Sequence, residues 1–277
     1  MNDYKRILFP VDFSPECRIA AGYVASYARF FGAELILVHA ELYPVEPYVW
    51  EPQTQRLTEM LEHFESDLFA GLSVRRIVEP GEPAQVIHRY ATSERVDLIM
   101  IPTHGRGAIG RFLLGSVTAK VLHDAVCPVW TSAHLPVERS ATWDRIDNIL
   151  CAVDLDEAGV HTLRYASNFA RRLGAHLTVA HAVPMPENLL EAQFDTDLRA
   201  DLIESARIRL GEVQSIAGSN ATVCVGVGNI AEFVNSAAQS HKANLAIIGR
   251  GRANLLGRLR THDYAIIRRC ECPVISI

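Results

Sequence analysis

The sequence predicts an α/β protein made of two tandem domains, each an open five-stranded parallel sheet of Rossmann-like kind. Three observations carry that expectation. Residues 7–40, ILFPVDFSPECRIAAGYVASYARFFGAELILVHA, align without a gap onto residues 149–182, ILCAVDLDEAGVHTLRYASNFARRLGAHLTVAHA. The offset is constant at 142, since Asp154 against Asp12 and His181 against His39 both give it. Within each copy short apolar runs alternate with helical patterns, and strands separated by helices need crossover connections, which favours a parallel sheet covered on both faces. At 277 residues the chain suits two cores better than one. The domains are expected at residues 1–135 and 144–277, with Ala133–Trp143 as the linker.

In chain order, Tyr4–Asp12 and Ile146–Asp154 are apolar runs ending in an acid. Each leads into a helix that Ser14-Pro15 or Asp156 can open as N-cap, over about Pro15–Phe31 and Glu157–Leu173. Gly32 and Gly174 then suit a left-handed C-terminal cap. Leu35–Ala40 and Leu177–Ala182 read as second strands. An insert with Pro44, Pro47 and Pro52 precedes a helix near Thr54–Phe69, and Pro184 and Pro186 precede a longer one near Leu189–Ile216. Third strands at Val74–Val78 and Thr222–Val227 turn through Gly81-Glu82-Pro83 and Gly228-Asn229-Ile230 into further helices. Fourth strands are expected at Val96–Ile101 and Asn244–Ile248, a helix at Val117–Asp124, and closing strands at Cys127–Thr131 and Cys272–Ser276. Ligands of such sheets gather outside the carboxyl ends of the strands, where Asp12, Ala40 and Pro102 fall.

A net charge of -5 and a pI near 6.1 offer no domain-wide positive field, so no nucleic-acid partner is expected. The start MNDYKRILFPVD carries a strand pattern in place of a signal-peptide apolar region, and no apolar run is long enough to span a bilayer. A cytoplasmic protein without a membrane partner is therefore expected. The six cysteines form no zinc-type C-x-x-C pair and are too sparse for a disulfide scaffold. Cys270 and Cys272 are read as belonging to one strand, and neither a shared metal nor a disulfide between them is expected. His39 and His181 lie on apolar strands and read as hydrogen-bonded core histidines, whereas His104 lies in a loop.

That loop carries the chemistry. From Pro102 to Ser116 the chain reads PTHGRGAIGRFLLGS and leads directly into a helix. Gly-rich backbone entering a helix aims free N–H groups and the positive end of the helix dipole at one point, an arrangement suited to phosphate. Ser116 and Thr118 add hydroxyls, and Arg106 or Arg111 adds mobile charge. Gly105-Arg-Gly107-Ala-Ile-Gly110 matches a dinucleotide fingerprint only in letters, because it follows the fourth strand and not the first. Gly115-Ser116 lacks the Lys of a P-loop.

Gly105, nine residues and then Gly115-Ser116, together with the strand-ending Asp12, the GEPA turn, the LLGS segment and the CPV strand, resemble the universal stress protein family. The resemblance covers nearly the whole chain. It implies an open α/β domain, similar to adenine nucleotide alpha hydrolases, that binds ATP across the sheet end, with magnesium carried by the nucleotide. By that resemblance Pro10, Val11 and Asp12 line the adenosine, Ala40 offers backbone to adenine, and Ile101, Pro102 and Thr103 flank the ribose. Gly105, Arg106, Gly115, Ser116, Val117 and Thr118 hold phosphates. Pro102 stands where the family has a glycine, which removes one N–H donor. The family also implies pairing through the last strands, here an internal pseudo-dimer of the two halves, with room for a further homodimer and a protein partner.

The second loop, Gly249-Arg250 through Arg260-Thr261, is two residues shorter, since the offset falls from 147 at the fourth strand to 145 at Cys272. Arg260 replaces the glycine before the hydroxyl residue, so Asp154, Ala182, Gly249, Arg260 and Thr261 make at most a degenerate second site. Arg252, Arg258 and Arg260 suit instead a basic clamp for a different anion. No Ser-His-Asp grouping, H-E-x-x-H motif or carboxylate cluster for a metal is present, so no catalytic or metal-binding residue is assigned and any ATPase activity is slow and incidental. The expected function is an ATP-binding regulatory module of the stress response. The alternative is a nucleotide-independent interaction module that uses the inserts Glu41–Gln53 and Pro184–Asp197.

Overall fold

A computed structural model describes residues 4–42, 50–103, 114–134, 145–185, 196–250 and 261–277. The chain forms two compact units, one from Asp3–Thr131 and one from Arg145–Ile277 together with Ser132–His134. The first unit runs β1 (Arg6–Pro10), α1 (Pro15–Phe31), β2 (Glu34–Glu41), α2 (Trp50–His63), β3 (Val74–Pro80), α3 (Pro83–Ser93), β4 (Leu98–Met100), α4 (Ser116–Asp124) and β5 (Val129–Thr131). The second runs β6 (Asn148–Ala152), α5 (Glu157–Leu173), β7 (His176–Pro184), α6 (Thr196–Ala217), β8 (Thr222–Gly228), α7 (Ile230–Ser240), β9 (Leu245–Ile248), α8 (Thr261–Arg269) and β10 (Val274–Ser276).

Parallel pairing orders the first sheet β3-β2-β1-β4-β5. The second repeats it as β8-β7-β6-β9-β10. Central strands are apolar on both faces: Ile7, Leu8 and Phe9 of β1 and Leu35–Val38 of β2 are all buried, as helices on the two faces of a parallel sheet require. The order reverses direction beside β1, between β2 and β4, so the carboxyl ends of β1 and β4 flank the crevice in which such folds bind ligands. Among the described residues no helix is long and apolar enough to cross a membrane.

Helix ends follow the residues that open and close them. Ser14 Oγ accepts from the Cys17 N–H and Asp156 Oδ1 from the Gly159 N–H, the same cap at the same place in both units. Gly32 and Gly174 close α1 and α5 with φ of 62° and 67°, a left-handed conformation that costs glycine little. Gly159 answers a different need. A Cβ there would stand 1.8 Å from the Asp154 carbonyl oxygen, so the turn after β6 can fold this closely onto α5 only over a glycine.

Three sequence expectations are corrected. The helix expected to reach Phe69 ends at His63, because Glu65 takes a φ of 46°. Phe64 and Phe69 are nonetheless buried, so the apolar spacing that reads as helix is satisfied by turns. Strands β1 and β6 stop at Pro10 and Ala152, which leaves Asp12 and Asp154 in the turns beyond. Cys270 and Cys272 are not strand residues. β10 begins at Val274, the pair flanks the bend after α8, and the two sulfurs lie 3.5 Å apart. The start of α6 before Thr196, the insert over residues 43–49, and residues 135–144 of the linker lie outside the described residues.

Ser14→Ala removes a buried cap, which is expected to cost about 1 kcal/mol; a thermal melt followed by far-UV circular dichroism should show the first unit's midpoint fall by about 4 °C. Gly159→Ala forces the Asp154 turn off α5 and should destabilise by about 1–3 kcal/mol in urea titration. Gly211→Ala, in the exposed interior of α6 with nothing near its added Cβ, should instead stabilise by about 1 kcal/mol in the same titration.

Candidate functional site

Each strand-end turn is held by a histidine from the neighbouring strand. His39 Nδ1 lies 2.6 Å from the Val11 carbonyl oxygen, and His181 Nδ1 lies 2.8 Å from that of Val153. A carbonyl only accepts, so Nδ1 carries the proton in both. These are the hydrogen-bonded histidines the strand pattern implies. The next residue, Asp12, is half-buried and accepts the Ser14 N–H at Oδ1, 2.9 Å, so it caps its own turn as well as facing the strand ends. Phe13 follows with a φ of 61° and packs its ring on His39 and Phe64, with centroids 4.8 and 5.8 Å away. Beside that turn an open hollow is lined by Phe13, Arg18, Arg56, Glu59 and His63, two arginines the sequence pattern did not single out. Arg18 is committed there to Glu65, at 3.0 Å.

The carboxyl end of β4 meets the start of α4 through backbone. Ile101, Pro102 and Thr103 are buried. The Thr118 hydroxyl donates to the Pro102 carbonyl at 2.9 Å, and the Gly115 N–H donates to the Thr103 carbonyl at 2.8 Å. Gly115 is the N-cap of α4 and has no side chain with which to cap it. A Cβ at Gly115 would come within 3.1 Å of the Thr103 oxygen, so a larger residue there must push α4 away from β4. The first-turn N–H groups of Ser116, Val117 and Thr118 have no partner within the helix, and the Ser116 side chain is exposed. The structure thus brings Pro10, Val11 and Asp12 to one strand end and Ile101, Pro102, Thr103, Gly115 and Thr118 to the adjacent one, with Ala40 at the end of β2. Gly105 and Arg106 lie outside the described residues, as does His104.

The second unit places a cavity of about 80 Å³ at the corresponding strand ends, walled by Asp154, Gly159, His181, Gly249, His262 and Asp263 together with apolar side chains. Volume exchanged between the repeats explains it. At an offset of 142, Val38 becomes Ala180, which removes the volume of a buried isopropyl group, while Cys17 becomes Gly159, over which the Asp154 carbonyl closes. Burial, then the Asp12 charge, pushes the Cys17 thiol up, so this sulfur is inert packing. Pro102 becomes Gly249 while Ala20 becomes Thr162, and the Thr162 hydroxyl sits where a Gly249 Cβ would be, 2.6 Å away.

Asp263 is the cavity residue that motif reading missed. It is 8% exposed, in the first turn of α8, at the place of Thr118 once the offset of 145 is carried into the last helix. The signal lies in the repeat itself, two residues beyond Thr261, where the offset of 145 sets Asp263 against Thr118. The exchange replaces a hydroxyl that donates to a strand-end carbonyl with a carboxylate, which cannot donate when ionised. Arg260, Arg252 and Arg258 lie outside the described residues, and Thr261 opens α8. Among the described residues no group of three or more His, Cys, Asp or Glu could hold a metal ion.

The sequence profile of the Universal stress protein family matches residues 3–132 and again residues 145–277. A universal stress protein from the QAH/OAS sulfhydrylase 3' region of Thermus aquaticus is 36% identical over 133 residues, 46% of this chain and 96% of its own. Universal stress protein MJ0577 of Methanocaldococcus jannaschii is 29% identical over 150 residues, 46% of this chain and 93% of its own. Over the whole fold, the crystal structure of a universal stress protein from Archaeoglobus fulgidus superposes with a TM-score of 0.69 at 23% identity, covering 98% of this chain and 95% of that one. With both repeats matched and the crevice formed at the same strand ends in each, the chain belongs to the universal stress protein family as a tandem two-domain member.

Proposed function

We propose that the N-terminal unit binds ATP, with magnesium carried by the nucleotide, and that the protein is a cytoplasmic regulatory module of the stress response, with any ATPase activity slow and incidental. The observation that supports this most is the start of α4. Its N-cap is a glycine without side chain, its first-turn N–H groups are unspent within the helix, and its axis starts beside the carboxyl end of β4. That is the arrangement an anionic phosphate complements. In this reading Pro10, Val11, Asp12, Ala40, Ile101, Pro102 and Thr103 take the adenosine. Gly105, Arg106, Gly115, Ser116, Val117 and Thr118 take the phosphates. Thr118 already donates its hydroxyl to Pro102, so exposed Ser116 is the hydroxyl available to turn toward a ligand.

The C-terminal unit, in this reading, does not hold a triphosphate. Asp263 brings negative charge to the helix end where phosphate would sit, and a like charge there costs affinity. Asp154, Ala182, Gly249, Arg260 and Thr261 then remain a scaffold copy. The units pair as a pseudo-dimer through their last strands, Val129–Thr131 and Val274–Ser276, each apolar and outermost in its own strand order. A further homodimer and a protein partner that reads the bound state complete the partner set.

One observation favours the nucleotide-independent interaction module: in the first unit the buried Val38 side chain stands where the second unit has only Ala180 lining its cavity.

Calorimetric titration separates the two readings. Wild type should take up one equivalent of magnesium ATP, Gly115→Arg should abolish binding, and Asp12→Ala should weaken it about tenfold, as loss of one charge-assisted hydrogen bond implies. Asp263→Thr should raise the stoichiometry toward two. No heat from wild type at millimolar ATP would leave the interaction module as the function.

A further inference from the structure

The bend between α8 and β10 holds two thiols that the nucleotide reading does not use. The Cys270 N–H donates to the Ile266 carbonyl at 2.8 Å, so Cys270 closes the last turn of α8. Three residues later Pro273 is already fixed to the sheet, its carbonyl accepting the Ala246 N–H at 2.9 Å. The chain therefore reverses across Glu271 and Cys272, and the reversal brings Cys270 Sγ within 3.5 Å of Cys272 Sγ. Both are free cysteines, Cys270 buried and Cys272 half-buried. The first unit has Ala125-Val126-Cys127 at this place, so the pair belongs to the second unit alone.

We propose that Cys270 and Cys272 are a modification site, at which a hydroperoxide oxidant closes a reversible intrachain disulfide across the α8–β10 bend. The chemistry balances whichever sulfur reacts first. A thiolate attacks one oxygen of hydrogen peroxide, an S–O bond forms as the O–O bond breaks, and the departing hydroxide takes up a proton to leave as water. The second sulfur then attacks the sulfenic sulfur, an S–S bond forms as the S–O bond breaks, and the oxygen leaves as a second water. Two thiols lose two electrons and two protons, and the peroxide is reduced to two waters.

The surroundings favour this pair over the other four cysteines. Donation from Cys272 pushes the Cys270 thiol down against the opposing effect of burial, while its hydrogen bond to Cys270, then burial, pushes Cys272 up. A thiol hydrogen-bonded to its neighbour's sulfur favours the thiolate there, the form that reacts with peroxide. Cys151 is pushed up by burial, as Cys17 is, and both lie in the core. Cys127 is buried, and burial also raises Cys224. A disulfide closed across a single intervening residue is expected to reduce readily, as regulatory disulfides do. It would tie the end of α8 to the start of β10, and α8 is the helix whose first turn supplies His262 and Asp263 to the cavity.

Trypsin cleaves after Arg269 and yields a peptide from Cys270 to Ile277 that contains both cysteines and no other. The native full-length chain is treated with equimolar hydrogen peroxide, denatured directly into iodoacetamide and digested. The expected peptide carries no alkyl group and is two hydrogens lighter than the reduced form; dithiothreitol before alkylation restores both alkyl groups. Cys272→Ser and Cys270→Ser, with unchanged circular dichroism, should each abolish the disulfide species. If the serine variants fail to fold, the wild-type peptide map decides by itself. The proposal is overturned if peroxide is consumed while both cysteines still alkylate, if either sulfur accumulates as sulfinic acid without the disulfide, or if the disulfide formed joins Cys224 of two chains.

Discussion

The structure depends on a hydrogen bond made twice. His39 reaches from β2 to the Val11 carbonyl, and His181 from β7 to the Val153 carbonyl, each fixing the first residue beyond a strand at the point where the chain must leave the sheet. Without that tie the strand-end carbonyl would be a polar group pointing into a crowded crevice, a buried acceptor whose desolvation costs about 1–3 kcal/mol. With it, Asp12 and Asp154 are delivered to the same place in each repeat, the N-caps Ser14 and Asp156 follow two residues later, and α1 and α5 start in matching positions. The crevice is thus set by the strand ends before any loop contributes to it.

What differs between the repeats is volume and charge within that common frame. The second unit trades Cys17 and Val38 for Gly159 and Ala180, and both replacements line its cavity. The loss is tolerated because the Asp154 carbonyl moves into the space above Gly159, and because Thr162 fills the room that Gly249 leaves. Core packing tolerates exchanges that conserve volume locally far better than simple deletions. The cavity is therefore a bounded remainder of compensated swaps, walled by side chains with polar tips.

Much of this was legible in the residues. The strand and helix order followed from alternation and from Gly32 and Gly174; α1 and α5 matched their expected bounds because caps are local chemistry, read from one or two residues. The end of α2 was not legible, since Phe64 and Phe69 keep a spacing that helix and turn both satisfy, and only the backbone at Glu65 distinguishes them. Cys270 and Cys272 were misread for a related reason: an apolar run gives the direction of a strand but not its first residue, and where an extended strand would hold the two residues about 6.6 Å apart, the bend brings their sulfurs together. Asp263 escaped because its meaning lies in comparison with Thr118 across a loop that changed length. The cavity itself could not be read from motifs, because it arises from several small exchanges on different elements.

The contrast between α4 and α8 decides how far the repeats can share a ligand. Both helices start beyond the fourth strand of their sheet, and both present first-turn N–H groups with the positive end of a helix dipole. At α4 the N-cap is bare glycine, the acidic first-turn positions are absent, and Thr118 uses its hydroxyl to fasten the helix to Pro102. At α8 the first turn carries Asp263, so negative charge favoured by the dipole, by about 0.3–1 kcal/mol, is already built into the chain. A phosphate arriving at α4 would complement that field, whereas one arriving at α8 would meet a carboxylate beside it. Identical topology with opposite occupancy of one helix terminus is enough to make two matching crevices chemically unequal.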